Sequence, residues 1–173
     1  SWVAADSPND INTSGITQPP VLADATFRVG QALPEKERKA FYKKMLPVII
    51  KYHQWMYEDR DPHDEGLVLQ IHPYETGLDN TPPWISQLRE HNRPVWIALI
   101  ENLRIDRAIN KMRRDTRSVP GDQRMNTIEA LMVWDVILRL RRKHYDIDKI
   151  LHRSLFVIED VGFNSIFIRN NQI

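Results

Sequence analysis

Three observations predict a mainly α-helical fold for this chain. Apolar residues recur three and four positions apart over five separate stretches. Breaks bearing proline, glycine or clustered polar residues separate those stretches. The strand signal is confined to a few residues before His72, so no sheet is expected.

The chain opens irregularly, with residues 1–17 rich in Ser, Asn, Asp and Thr around Pro8 and Gly15. Pro19 and Pro20 then stand where a helix start tolerates missing N–H groups. Leu22, Ala25, Val29 and Ala32 carry the first stripe, which Pro34 ends. A second helix is expected from about Glu35 to Tyr57, on the stripe Phe41, Met45, Val48, Tyr52 and Trp55. Glu35 and Glu37 favour its positive end, and Pro47 is expected to kink it. Asp59 to Gly66 reads as a polar turn, and Leu67 to Ile71 as a short extended piece.

A third helix is expected from about Pro94 to Arg114, carried by Val95, Ala98, Leu99, Leu103, Ala108 and Met112. Ser118 to Asp122 breaks it. A fourth, from about Gln123 to His144, should turn Ile128, Leu131, Trp134 and Leu138 inward, with a basic last turn at Arg139 to Lys143. A connector over Tyr145 to Ser154 and an apolar run over Leu155 to Ile158 precede Asp160. That aspartate is placed to cap a fifth helix, still running at Ile173.

Composition narrows the function classes. Apolar content of 42% and charged content of 27% suit an ordinary globular chain. Lys plus Arg number 24 against 23 for Asp plus Glu, a net charge of +1 that argues against a bulk polyanion partner. The basic residues Arg104, Arg107, Lys111, Arg113, Arg114 and Arg117 are interleaved with Glu101, Asp106 and Asp115, as on an ion-paired helix face. Nucleic acid is therefore not an expected partner. No apolar run reaches the roughly 18–20 residues of a membrane span, so no membrane partner is expected either. Without cysteine, disulfide and thiolate chemistry are excluded and the redox compartment is open. The chain begins Ser-Trp-Val with no initiator Met, so it is expected to be part of a longer protein.

The stretch around which the helices are organised is His72-Pro-Tyr-Glu-Thr-Gly-Leu-Asp-Asn-Thr-Pro-Pro-Trp84. Gly77 permits positive φ, Asp79 and Asn80 can bond their own backbone, and Pro82 and Pro83 stiffen the exit. A stiff loop on a helical scaffold is a common seat of chemistry. Glu75 and Asp79 are two carboxylates four apart, as acid/base hydrolysis of a glycosidic bond would need. The plainer alternative is that Asp79 and Asn80 cap a turn while Glu75 pairs with an arginine. Neither His72 with Glu75 nor His63 with Asp64 and Glu65 has a metal-binding spacing, and no metal or cofactor is expected. Trp55, Trp96 and Trp134 fall at helical spacing and read as core. Trp84, after Pro82 and Pro83, is placed to form an aromatic wall for a sugar ring.

That stretch resembles the signature of the six-hairpin glycosidases, close to glycoside hydrolase family 63 and the mannosylglycerate hydrolase-like proteins. Their usual form is His-Pro-Trp-Glu-Ser-Gly-Met-Asp-Asn-Ser-Pro-Arg-Trp-Asp, and trehalases carry a related motif. Further blocks stand in family order: Ser14 to Pro20, Arg60 to Pro62 with Gly66 to Val68, Asp115-Thr116, and Phe156 to Asp160 with Phe163 to Ile166. The resemblance implies an (α/α)6 toroid of which this chain supplies about two or three of the six hairpins, all within one catalytic domain. It implies an inverting glycosidase acting on an α-linked sugar, with Asp79 as general acid and the base, a glutamate, outside this chain. Gln18, Tyr74, Glu75, Asn80 and Trp84 would lie around the sugar. The expected partners are a small α-glycoside and the rest of the barrel. The other reading left open is a helical carbohydrate-binding or interaction module without catalysis. Three positions depart from the family form: Pro83 replaces Arg, Ile85 replaces Asp and Tyr74 replaces Trp.

Overall fold

Proline and arginine set the first two helices. The computed structural model describes residues 15–77, 88, 94–113, 120, 125–153 and 156–173. Helix α1 (Leu22–Ala32) follows Pro19 and Pro20, and Pro34 caps the start of α2 (Glu35–Arg60). Arg38, in the first turn of α2, donates to the carbonyls of Gly30 at 3.0 Å and Leu33 at 3.2 Å. These are groups that a helix end leaves without intrahelical donors, so one side chain closes the turn between the two helices.

Seven α-helices and one 3₁₀ turn make up the described residues, against five expected. Beyond α1 and α2 they are the 3₁₀ turn (Pro73–Thr76), α3 (Val95–Asn102), α4 (Ile105–Met112), α5 (Thr127–Arg142), α6 (Ile147–His152) and α7 (Val161–Asn171). The expected third helix is split because Arg104 adopts the left-handed conformation, φ 55°. Few non-glycine residues do so. The expected connector after His144 holds α6, capped by Asp146. Helix α2 continues through Pro47 as one helix, and α7 ends at Asn171 rather than running to Ile173.

The chain divides into two compact units. One comprises Thr17–Gly77 with Val157–Ile173. Here α1 packs on α2 and on α7, over a core of Met56, Val68, Phe163 and Phe167 edged by Tyr52 and Trp55. Two expected stripes are rotated. Helix α1 buries Ala23, Thr26 and Gly30, whereas Val29 is 51% exposed. These small residues allow a close approach, and the Tyr42 ring lies where a side chain on Gly30 would project. Helix α2 buries His53, Met56 and Arg60, and Val48 is 53% exposed.

Between α2 and the 3₁₀ turn, residues 68–71 are buried without belonging to a sheet, so their backbone groups need individual partners. Each N–H has one. Val68 N–H donates to Asn164 Oδ1 (2.8 Å), Leu69 to the Arg60 carbonyl (2.7 Å), Gln70 to the Ile158 carbonyl (2.8 Å) and Ile71 to Glu75 Oε2 (2.7 Å). The short extended piece expected here is thus one antiparallel bridge, Gln70 with Ile158. The buried Gln70 side chain completes it, donating to the Val68 carbonyl and accepting from Asp160 N–H. Asp160 also caps α7, as expected, accepting from Phe163 N–H at 2.7 Å.

The other unit contains α3 to α6, with α3, α4 and α5 packed on one another. Asn126 and Glu129 start α5 with a reciprocal capping box, a pattern written in Asn126-Thr-Ile-Glu129. Met132, Val133, Val136, Ile137 and Leu140 are buried along α5, whereas Trp134 is 42% exposed. The helix is apolar on nearly all sides, so periodicity admitted two inward faces, and the expected one is the half-covered one. Trp96, also read as core, is 38% exposed, although its indole N–H turns in to the buried Asp135. Trp96 Nε1 and Arg139 Nε both donate to Asp135, at 3.2 and 2.6 Å. Lys143 Nζ donates to the carbonyls of Lys149 and Arg153, closing the end of α6.

Asn164→Ala removes the acceptor of the Val68 N–H and tests the backbone accounting directly. An orphaned buried N–H costs about 1–3 kcal/mol, and urea denaturation should show a loss of that size.

Candidate active site

The motif enters the structure as a clamp. Gly66 turns the chain into residues 67–71, held by Asp61, whose two oxygens accept from Glu65 N–H at 3.0 Å and Gly66 N–H at 2.7 Å. His72 then starts the 3₁₀ turn, its Nδ1 accepting from Tyr74 N–H at 3.1 Å. An acceptor at Nδ1 fixes the neutral ring as the Nε2–H tautomer. Thr76 Oγ1 donates to the Pro73 carbonyl at 2.9 Å, and Gly77 leaves the turn with φ 73°. A β-carbon at Gly77 would sit 2.8 Å from Pro19 Cγ, so both the dihedral and the space select glycine.

Glu75 is the centre of this clamp, with 0% exposure. Arg60 grips it with both ends of the guanidinium: Nη2 donates to Oε1 at 2.9 Å and Nη1 to Oε2 at 3.2 Å. Thr17 N–H donates to Oε1 at 2.9 Å and Ile71 N–H to Oε2 at 2.7 Å. A carboxylate has about four lone-pair sites, and four donors occupy them. The plainer alternative read from the sequence, Glu75 paired with an arginine, describes this geometry. The carboxylate joins the end of α2, the Thr17 segment, residue 71 and the 3₁₀ turn.

Two expected site residues meet on the outside of the clamp. Gln18, exposed, donates its Nε2 to the Tyr74 carbonyl at 3.2 Å. The Tyr74 ring is 36% exposed and meets the His72 ring edge-on, centroids 4.9 Å apart. Asp79, Asn80 and Trp84 lie outside the described residues, as do Pro83 and Ile85. Among the described residues no three His, Asp or Glu side chains gather as metal ligands, and no helix is long and apolar enough to cross a membrane.

Sequence reasoning assigned no site role to Arg60, Thr17 or Tyr52. Tyr52 Oη lies 2.9 Å from Thr17 Oγ1 and donates to the Gln18 carbonyl at 3.2 Å. Arg60 carried no signal of its own, since a basic residue in the last turn of a helix is ordinary and its burial is a property of the fold. Tyr52 and Thr17 carried none either, because their contact joins residues 35 apart in sequence and exists only in the fold.

Burial pushes the Tyr52 phenol above the usual tyrosine value, and the Glu75 carboxylate adds to the rise, against the lowering by the Thr17 hydrogen bond and Arg60. The folded state therefore favours the protonated phenol. Its stabilisation is full below about pH 10 and is lost as pH rises through the folded-state value. Alkaline unfolding should be less steep in Tyr52→Phe, measured by denaturant midpoints across that range. Glu75→Gln should cost about 3–5 kcal/mol, since it leaves Arg60 buried without a counter-charge and sets an NH2 against donors. Glu75→Leu should be no milder, because the Thr17 and Ile71 N–H groups also lose their acceptor. Urea midpoints rank the two.

The likeness to known proteins extends over the clamp and its flanks. The family model for the mannosylglycerate hydrolase MGH1-like glycoside hydrolase domain matches residues 3–173. A mannosylglycerate hydrolase of Thermus thermophilus is 34% identical over 92% of this chain and 36% of its own length. The glucosylglycerate hydrolase of Mycolicibacterium hassiacum is 29% identical over 95% of this chain and 36% of its own. A crystal structure of a glycoside hydrolase family 63 mannosylglycerate hydrolase from Thermus thermophilus, in complex with Tris and D-glycerate, superposes with a TM-score of 0.74. It shares 32% identity, over 92% of this chain and 36% of that one. The chain thus spans about a third of the length of the relatives it matches, and its helices are part of the (α/α)6 fold. A family match over residues 3–173, with the helices superposing on a solved member, places the chain in the mannosylglycerate hydrolase MGH1-like glycoside hydrolase family.

Proposed function

We propose that this chain is the acid-bearing part of an inverting glycoside hydrolase that cleaves α-linked glucosides or mannosides of glycerate. The observation that carries the reading is the saturation of Glu75. Of the motif's two carboxylates, one has its lone pairs taken by four N–H donors. Asp79, two residues beyond Gly77 in the chain, is then the carboxylate left for proton transfer. As general acid it protonates the leaving oxygen, and it must hold its proton at working pH through burial or a nearby like charge.

Inversion needs a second carboxylate on the opposite face of the sugar to activate water. Glu75 is unsuited, since a base needs a lone pair turned toward water. The base is therefore a glutamate of another hairpin, and both compact units belong to one catalytic domain completed by the rest of the barrel. Gln18, Tyr74, Asn80 and Trp84 surround the sugar, while Glu75 acts on the loop rather than on the substrate. Glycerate as the leaving group is supported by the relatives, named for mannosylglycerate and glucosylglycerate. Pro83 replaces an arginine of the family form, so the glycerate carboxylate must find its cationic partner elsewhere.

The test is turnover by the full-length protein of mannosylglycerate, glucosylglycerate and simple α-glycosides, with the product anomer followed by NMR. The expected result is release of the β-anomer of the sugar, and a fall of about 10²–10⁴-fold in kcat for Asp79→Asn at unchanged melting temperature. Retained anomeric configuration would overturn inversion. Full activity in Asp79→Asn would overturn the acid assignment. Binding without turnover would point to a carbohydrate-binding module.

A further inference from the structure

A closed ring of contacts runs along the end of α2 and through the clamp, with Gln18 joined to it at Tyr52. Tyr52 stacks on Trp55, centroids 6.0 Å apart and planes 13° from parallel. Arg60 lies over the Trp55 ring at 5.4 Å and holds Glu75. Glu75 accepts from Thr17 N–H, and Thr17 Oγ1 meets Tyr52 Oη. Tyr52 and Trp55, three apart, are neighbours on the helix surface, and the long Arg60 side chain reaches back to the Trp55 ring from five residues on. Tyr52 Oη also reaches the Gln18 carbonyl, and the Gln18 side chain reaches the Tyr74 carbonyl.

The last bond decides how Gln18 presents itself. A main-chain carbonyl accepts and never donates, so the Gln18 NH2 must face Tyr74 and its Oε1 is turned the other way. The orientation holds only while the Gln18 backbone stays in place, and its carbonyl accepts from the Tyr52 hydroxyl at 3.2 Å and, more weakly, from Thr17 Oγ1 at 3.4 Å. Resting on the proposed function, in which Gln18 and Tyr74 touch the sugar, we propose that Tyr52 is a positioning residue. Its hydroxyl fixes the Thr17–Gln18 backbone so that Gln18 meets a substrate hydroxyl as a pre-aimed acceptor. Tyr52 does not touch substrate itself. Its phenol stays protonated through neutral pH, so it holds the segment across the working range.

The experiment is a double-mutant cycle in the full-length protein with Tyr52→Phe, Gln18→Ala and the double variant. One hydrogen bond's worth of positioning is about tenfold. Tyr52→Phe should raise KM about tenfold with kcat held, and should have almost no further effect in the Gln18→Ala background. A Tyr52→Phe variant with wild-type KM overturns the proposal. So does an additive cycle, or a KM rise seen only where the melting temperature has collapsed, since those mark a merely structural hydroxyl. Wild-type protein that turns over no α-glycoside overturns the function on which the inference rests, and the inference with it. An active wild type leaves the KM of Tyr52→Phe to decide on Tyr52 alone.

Discussion

The buried pair of Arg60 and Glu75 is the interaction on which the described part of the site depends. Two charges removed from water lose hydration worth several kcal/mol each, and they stay buried only with good geometry and full hydrogen bonding. Both conditions hold. The guanidinium fork meets both carboxylate oxygens, and two backbone N–H groups take the remaining lone pairs. An apolar pair of equal volume would fill the space and still leave those two N–H groups without acceptors. The ionic solution is therefore tied to the path of the chain around it.

That path explains why the clamp can be rigid without a sheet. Residues 68–71 run through the interior as an isolated extended piece, and each N–H is met by a different element: α7, the end of α2, the Ile158 segment and the 3₁₀ turn. Polar groups with specific partners fix one register, because any slip would orphan several of them together. The 3₁₀ turn inherits that register, and Gly77 is held between its own left-handed backbone and Pro19.

Much of this is legible in the sequence, and what is not has physical reasons. Helix class, the proline-led starts of α1 and α2 and the Asp160 cap follow from local rules that act within a few residues. The inward faces of α1, α2 and α5 do not. Along α5 apolar residues occur on both sides, and on α1 the buried side is the one with the smaller residues, chosen by the approach of Tyr42. Periodicity measures apolar content around a helix, whereas burial depends on which neighbour arrives. The break at Arg104 is invisible to pattern because it rests on one positive φ in a residue that seldom adopts it. Within the site, Glu75 can be read either as a sugar ligand or as an arginine's partner. Choosing requires the position of Arg60, fifteen residues earlier in sequence and in contact only once the chain has folded.

Two carboxylates four residues apart in one loop can serve opposite ends, and the environment of each decides which. A carboxylate surrounded by donors is a joint: moving any of its partners costs the others their acceptor. A general acid needs the reverse, a carboxyl with an open side toward the leaving group and a proton it can give and recover. A residue that is a joint cannot also be a proton carrier without loosening the loop at each turnover. In the proposed function the roles are separated within one short loop, so that the joint stays closed while the proton is carried by the other carboxylate. Under the proposed function, the saturation of Glu75 leaves the acid's role to the motif's second carboxylate, and the ring through Tyr52, Trp55 and Arg60 extends the same joint to the Gln18 segment.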